Sequence, residues 1–313
     1  MQQGVLSLGE ALIDFIPTDE TNDVYIKSPG GAPANVAVGV ARLGLPSTFL
    51  GKVGEDVLGR FLRDTLKEYG VNTAAMLFSK DVRTGVVFVS LDETGDRSFD
   101  FYIDPSADQF LTEQELDEAL FRSHKILHFG SISMINEPVR SATNKAVELA
   151  KQNGMLVSYD PNLRLGLWRN ENQAKEMIVS MIAEVDVLKI SEEELAFITG
   201  NDSVDHGIEL LKQFDVPLIL VTLGADGSIV VTKDGKKRVP AMIVNAVDTT
   251  GAGDAFMSSM LYQLNNYKGD IRELTVDHLA QMAAFSSVSG GLAASVKGAM
   301  SALPNLQTIQ KYL

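Results

Sequence analysis

Ile126-Leu127-His128-Phe129, Leu156-Val157-Ser158-Tyr159, the run Val185–Lys189 and Leu218-Ile219-Leu220-Val221-Thr222 are four short apolar runs within one stretch of the chain. Segments with helical spacing of apolar residues, around 137–152, 171–183, 192–199 and 204–214, lie between or beside them. Short buried strands alternating with helices are the punctuation of βαβ units. They predict an α/β fold in which a mainly parallel sheet is covered by helices. Val5–Leu8 near the start reads as a further strand of the same kind.

Outward from this stretch, two parts break the rhythm, about 10–30 and 84–104. Thr84–Leu91 and Arg97–Tyr102 alternate apolar and polar residues around Asp92-Glu93-Thr94-Gly95-Asp96, which reads as a β-hairpin. Val24–Lys27 can supply another strand. A small antiparallel β sheet attached to a doubly wound core suits a lid that excludes water from the cleft below it. The other role open to such a sheet is the surface of a homodimer, and neither excludes the other. Between these parts, Gly30-Gly31-Ala32-Pro33-Ala34-Asn35 leads into Val36, Ala37, Val40 and Ala41. Pro33 suits a helix start and Gly44 the position just past its end. The lid strands are insertions in one domain spanning 1–313, with no linker, repeat or low-complexity segment.

The 313 residues carry a net charge of −14, which excludes nucleic acid and anionic membrane as principal partners. There are no cysteines, so disulfides, thiolate metal sites and a cysteine nucleophile are excluded. The N-terminal residues lack the basic and long apolar parts of a signal peptide, and polar residues interrupt every apolar run. A soluble, cytoplasmic protein is expected. The histidines at 124, 128, 206 and 278 lack metal-ligand spacing and are assigned to core or surface.

Ligands of open α/β sheets bind at the carboxyl ends of the strands. Five polar clusters fall there: Gly9-Glu10-Ala11-Leu12-Ile13-Asp14, Asp160-Pro161-Asn162-Leu163-Arg164, Ser191-Glu192-Glu193-Glu194, Leu223-Gly224-Ala225-Asp226-Gly227 and Asp248-Thr249-Thr250-Gly251-Ala252-Gly253-Asp254. Most have a plain structural reading as well. Ser191 and Glu194 form a capping-box pattern, Asp160-Pro161-Asn162 can be a turn, and Gly224 and Gly227 can serve the turn before Ser228. Asp14 is different, since a carboxylate in an apolar run needs a partner or a ligand. In the fifth cluster a helix starts near Gly253. Its glycines let an anion approach free backbone N–H groups, and Asp254 sits beside that cradle. The arrangement suits phosphoryl transfer to a hydroxyl. Without context, the same residues can be a tight turn with an acid that complements the helix dipole. No GxxxxGK[ST] loop, protein-kinase HRD or DFG set, or Rossmann GxGxxG after the first strand occurs.

On two signatures, Gly30 to Asn35 with Leu43-Gly44, and Asp248 to Phe256, the chain resembles the ribokinase-like (PfkB) family of sugar kinases over essentially its whole length. Phe129-Gly130-Ser131-Ile132-Ser133, Ser158 to Arg164 with Leu167-Trp168, Lys189 to Leu195 and Pro105-Ser106-Ala107-Asp108 support the likeness. Within the family it is most similar to bacterial and plant fructokinases. The resemblance implies a three-layer α/β/α fold and ATP-dependent phosphorylation of D-fructose to fructose 6-phosphate. Asp254 would be the general base, with the backbone of Gly251, Ala252 and Gly253 as the anion hole. It also implies sugar contacts from Asp14, Gly30, Gly31 and Asn35, with Asn162 and Arg164 nearby or facing phosphates. Lys189, Thr222, Gly224, Gly227 and Ser287 would serve the nucleotide. Glu194 would help organise Mg²⁺ through water, and Asp248 and Thr250 would bind a monovalent cation such as K⁺. Three positions depart from the family pattern: Ser191 and Ser287 stand where many relatives have Asn, and Ile103 where an Arg is frequent. The last disfavours an acidic sugar. Ribokinase-like or 2-keto-3-deoxygluconate kinase activity, and a non-catalytic sugar- or nucleotide-binding regulator, are the alternatives.

Overall fold

The computed structural model describes residues 2–92, 97–102 and 104–313. Its first third comprises β1 (Val5–Leu8), β2 (Leu12–Pro17), β3 (Tyr25–Gly30), α1 (Ala32–Arg42), β4 (Ser47–Gly54), α2 (Val57–Glu68), β5 (Met76–Ser79), β6 (Val86–Leu91) and β7 (Arg97–Tyr102). After α3 (Glu118–Ser123) strands and helices alternate: β8 (Ile126–Phe129), α4 (Val139–Gln152), β9 (Leu156–Tyr159), α5 (Glu171–Ile182), β10 (Val187–Ser191), α6 (Glu192–Thr199), α7 (Val204–Leu211) and β11 (Leu218–Thr222). The hairpin of β12 (Ser228–Thr232) and β13 (Gly235–Val239) precedes α8 (Ala252–Asn266), α9 (Val276–Ala294) and α10 (Leu306–Gln310).

Nine strands form the central sheet in the order β13-β12-β11-β10-β9-β8-β1-β4-β5. All are parallel except β12 and β13, which join antiparallel at one edge. Successive residues of a strand feed opposite cores. Leu127 and Phe129 pack beneath α4 and α5 with Tyr159, Ile178 and Ile190. Ile126 packs on the other side with Met257, Met260, Leu261 and Leu279 of α8 and α9. Burial on both faces is why these strands read as continuous apolar runs rather than as alternation. Each large side chain so buried contributes roughly 1.5–3 kcal/mol.

One strand is displaced from its sequence reading, from Val185–Lys189 to Val187–Ser191. Asp186 is spent just before the strand: its carboxylate accepts from Val157 N at 2.9 Å and its carbonyl from Leu218 N at 3.1 Å. Ser191 still pairs with Thr222 while it caps the next helix.

The lid is a four-stranded sheet in the order β3-β2-β6-β7. It is mixed rather than antiparallel. Each hairpin is antiparallel, but β2 and β6 pair in parallel, Ile13 against Val86 and Phe15 against Phe88. The reason is the parallel core. β2 leaves β1 and β6 leaves β5 at the same edge of the central sheet, so both run outward in the same direction. Asn22 ties the hairpins together, its side chain bonding both N and O of Leu91 at 2.9 Å. The predicted turn at Glu93–Asp96 and the position Ile103 lie outside the described residues. Among the described residues, no helix is long and apolar enough to cross a membrane.

Candidate functional site

A cleft of ≈ 360 Å³ opens between the lid and the carboxyl edge of the sheet. From the lid come Leu12, Asp14, Val87 and Phe101; from α1 and its approach come Gly31, Ala32 and Asn35. The loop after β9 supplies Asn162 and Arg164, β10 supplies Lys189, and the start of α8 supplies Thr249, Thr250, Gly251, Gly253 and Asp254. A second hollow, ≈ 430 Å³, lies between β13 and α9. Its charges are already used, Lys237 on Asp277 at 2.7 Å and Arg238 on Asp226 at 3.4 Å, so the chemistry converges on the cleft.

Asp14 belongs to β2, not to a loop after β1, and β2 aims it into the cleft beside Val87 of β6. Burial raises its carboxyl to about 6, with Arg164 opposing the shift. Gly30 makes room for it, because a Cβ there would collide with the Asp14 carboxylate.

At the other wall, α8 begins in a turn whose N-cap, Gly251, has φ 78 and no side chain to cap the helix. That left-handed backbone and the nearby Ala299 Cα, 3.3 Å from where a Cβ would stand, call for glycine. Ala252 donates its N–H to Thr249 O at 3.1 Å and does not line the cleft. The amides of Gly251 and Gly253 have no internal acceptor among the described residues, so the open cradle is those two rather than all three.

Asp254 follows in the first turn, half-buried at the cleft. Burial raises its carboxyl to about 6, and Asn35, which donates from Nδ2 to Oδ2 at 2.7 Å, opposes that rise. A carboxylate poised near 6 is mostly ionised at neutral pH yet more basic than a free one, as a general base requires.

Lys189 on β10 reaches Asp160, across the ladder at the end of β9, at 2.7 Å, and both side chains are buried. Burial works against its charge, but the Asp160 and Glu194 carboxylates outweigh burial and hold Lys189 above its ordinary value. A Cβ at Gly253 would lie 3.3 Å from its Nζ, so the ammonium stands beside the cradle.

Glu194 forms the capping box with Ser191: Oε2 accepts from Ser191 N at 2.8 Å and Oε1 from Leu163 N at 2.6 Å. Burial, then the charge of Asp160, raises its pKa. Among the described residues no group of three or more His, Cys, Asp or Glu could hold a metal. Yet Asp160 Oδ1 is buried with no partner among the described residues, its charge acts on Glu194, and each Glu194 oxygen has a lone pair to spare. Such a set fits a hydrated Mg²⁺ carried in with phosphates, not a protein cage. Asp248, buried, accepts from Thr250 N at 3.0 Å and Gly298 N at 3.1 Å, tying the glycine turn to the segment after α9.

The remaining nucleotide residues lie outside the cleft. Thr222 ends β11, Gly224 and Gly227 form the turn into β12, and Ser287 sits midway along α9. Sequence reasoning passed over Glu10, Asp160 and Thr249 as site residues. Glu10 is buried in the cleft wall, accepts from Ala32 N at 3.1 Å, and burial raises it to about 8. The signal was present, an acid directly after a buried strand, but Asp14 four residues on carries the same signal. Asp160 read as part of a turn, because its partner is 29 residues away.

Solved structures define the class. A fructokinase double mutant from Vibrio cholerae O395, in fructose-, ADP- and potassium-bound form, matches with TM-score 0.91 and 39% identity, covering 100% of this chain and 98% of that one. Fructokinase from Xylella fastidiosa with bound ATP matches at TM-score 0.90 and 32% identity, covering 99% and 98%. The molecule is therefore a ribokinase-like α/β protein with a mixed β lid. The model of the pfkB family carbohydrate kinases matches residues 2–306, and the chain belongs to that family. Fructokinase-2 of Oryza sativa subsp. japonica is 45% identical over 315 residues, covering 99% of this chain and 93% of the relative.

Proposed function

We propose that the chain is a fructokinase, transferring the γ-phosphoryl group of ATP to a hydroxyl of D-fructose and releasing D-fructose 6-phosphate and ADP. The observation that carries this reading is Asp254, a half-buried carboxylate raised to about 6 that stands beside the amides of Gly251 and Gly253, which have no acceptor among the described residues. Asp254 takes the hydroxyl proton, the sugar oxygen bonds the γ-phosphorus, and the bond to the bridging oxygen of ADP breaks. The Gly251 and Gly253 amides and the Lys189 ammonium face the charge that gathers on the transferred group. Ala252 keeps its amide for the turn itself.

The sugar is held by Asp14, Gly31 and Asn162, with Gly30 clearing space for Asp14. Val87 and Phe101 of the lid close over it, and Arg164 meets sugar or phosphate. Thr222, Gly224, Gly227 and Ser287 carry the nucleoside end of ATP outside the cleft. Mg²⁺, held through water by Glu194 with Asp160, would neutralise phosphate charge when bound. Asp248 and Thr250 take a monovalent cation, in keeping with the potassium form of the Vibrio relative. Residues 1–313 act as one kinase domain in the cytoplasm, and pairing through the lid is its route to a homodimer.

The rice relative is a fructokinase and the Vibrio fructokinase is in fructose-bound form, which supports fructose as the sugar. A coupled assay with ATP, Mg²⁺ and a panel of fructose, ribose and 2-keto-3-deoxygluconate tests the reading. Fructose is expected to have the highest kcat/KM. A clear preference for another sugar would refute the fructose assignment, and no turnover with any would leave only a binding protein.

A further inference from the structure

Asn35 and Asp254 both lie in the first turn of a helix, α1 and α8 respectively. One turn deeper, at i+4 on each, stand Gly39 and Ser258. There the helices are as close as backbone allows: a Cβ on Gly39 would lie 2.6 Å from Ser258 Cβ and collide with its Oγ. Ser258 cannot swing freely, since its Oγ donates to Ala255 O at 3.0 Å. Contact at Gly39 and Ser258 therefore dictates the spacing of the pair directly above it. At that level Asn35, 5% exposed, donates from Nδ2 to Asp254 Oδ2 at 2.7 Å. Its own Oδ1 is buried with no partner among the described residues.

We infer that Asn35 is a positioning residue for Asp254, set in place by the glycine contact at Gly39: it pins Oδ2 and leaves Oδ1 as the atom that receives the hydroxyl proton. The inference rests on Asp254 being the base, and it differs from the direct sugar contact that the sequence assigned to Asn35. A carboxylate free to rotate presents either oxygen in a range of directions. One held by a charge-assisted hydrogen bond presents one oxygen in one direction. The same bond favours the ionised base against the burial that opposes it. The other charged groups facing Asp254 are Glu10 after β1, Asp160 and Arg164 after β9, and Lys189 on β10. None of them is on α1, so replacing Asn35 leaves those charges in place.

The test is kcat and kcat/KM against pH for Asn35→Leu and Asn35→Asp, with Asp254→Asn run beside them. Loss of the donor makes Asp254 easier to protonate. The acid limb should then move to higher pH, kcat should fall about 10–10²-fold, and the deficit should shrink as pH rises. Asn35→Asp keeps the shape, adds a like charge and should move the limb further. It supplies the result if Leu at this buried position prevents folding. Gly39→Ala, which parts the helices, should move the limb the same way. An unmoved limb with only a higher sugar KM would make Asn35 a sugar contact and overturn the inference. So would a loss equal at every pH, the mark of a merely structural role. If Asp254→Asn keeps near-normal kcat, the reading of the base itself has failed. If it is inactive while the Asn35 limb stays put, only this inference has.

Discussion

Helices α1 and α8 both enter the cleft with a glycine N-cap and no side-chain cap, Gly31 at φ 103 and Gly251 at φ 78. Several helices away from the cleft are capped differently: Asp56 caps α2, Ser203 caps α7 and Thr275 caps α9 through side-chain oxygens. The two cleft helices then part ways. The first amide of α1, at Ala32, is taken by Glu10 Oε1 at 3.1 Å. The amides of Gly251 and Gly253 meet no acceptor among the described residues. The same local geometry is thus filled from within at one helix and left open at the other. Orphan amides at a helix start need an acceptor, and which acceptor depends on whether the fold brings a side-chain oxygen there. At α1 the answer is structural, and at α8 it is a ligand's phosphate.

The sharpest way to break this contrast is at Asp254. Asp254→Asn should lower kcat about 10²–10⁴-fold while fructose and ATP still bind, measured by steady-state kinetics and calorimetry. Near-normal kcat would remove the chemical half of the comparison. Next is the cradle. Gly251→Ala forces a Cβ into a left-handed position against Ala299 and should cost about 10²–10³-fold in kcat, the usual loss of an anion-hole donor. A loss confined to thermal stability, with kcat intact, would mean that α8 is as structural as α1.

The last break concerns Glu10, and it reads stability rather than turnover. Its folded value of about 8 stands above the ordinary 4.5, so the folded state holds a proton that the unfolded chain has released. Stability from that proton is complete below about 4.5 and drains away as pH climbs to about 8, by at most about 1.4 kcal/mol per pH unit. Glu10→Gln keeps an acceptor for Ala32 and has no proton to lose. Its advantage in melting temperature should therefore be slight at pH 5 and grow toward pH 8. An advantage that is flat with pH would show that Glu10 is not held as a neutral acid.

The core strands were legible because burial on both faces writes an unbroken apolar run. β8, β9 and β11 fall on the residues that the pattern marked, whereas β10 slips by two because Asp186 is spent on its neighbours. The hairpin of β6 and β7 was legible by alternation and β3 in part, but β2 was not, and neither was the pairing of β2 with β6. Parallel contact between β2 and β6 follows from where β1 and β5 end, which no local pattern encodes. The acid and glycines of Asp248 to Asp254 could be recognised as a site because neighbours in sequence build it. Asp160 could not, since its meaning comes from Lys189 across a strand.

Residue order alone determined which segments are buried, where α1 and α8 start, and that an acid follows a glycine turn. These are short-range matters of periodicity, dihedral freedom and capping. Only the tertiary structure decided that Glu10 would fill one helix start, that Gly39 would let α1 reach Ser258, and that Asn35 would meet Asp254 across 219 residues of chain. Packing is a property of facing surfaces, and a sequence does not say which surfaces face.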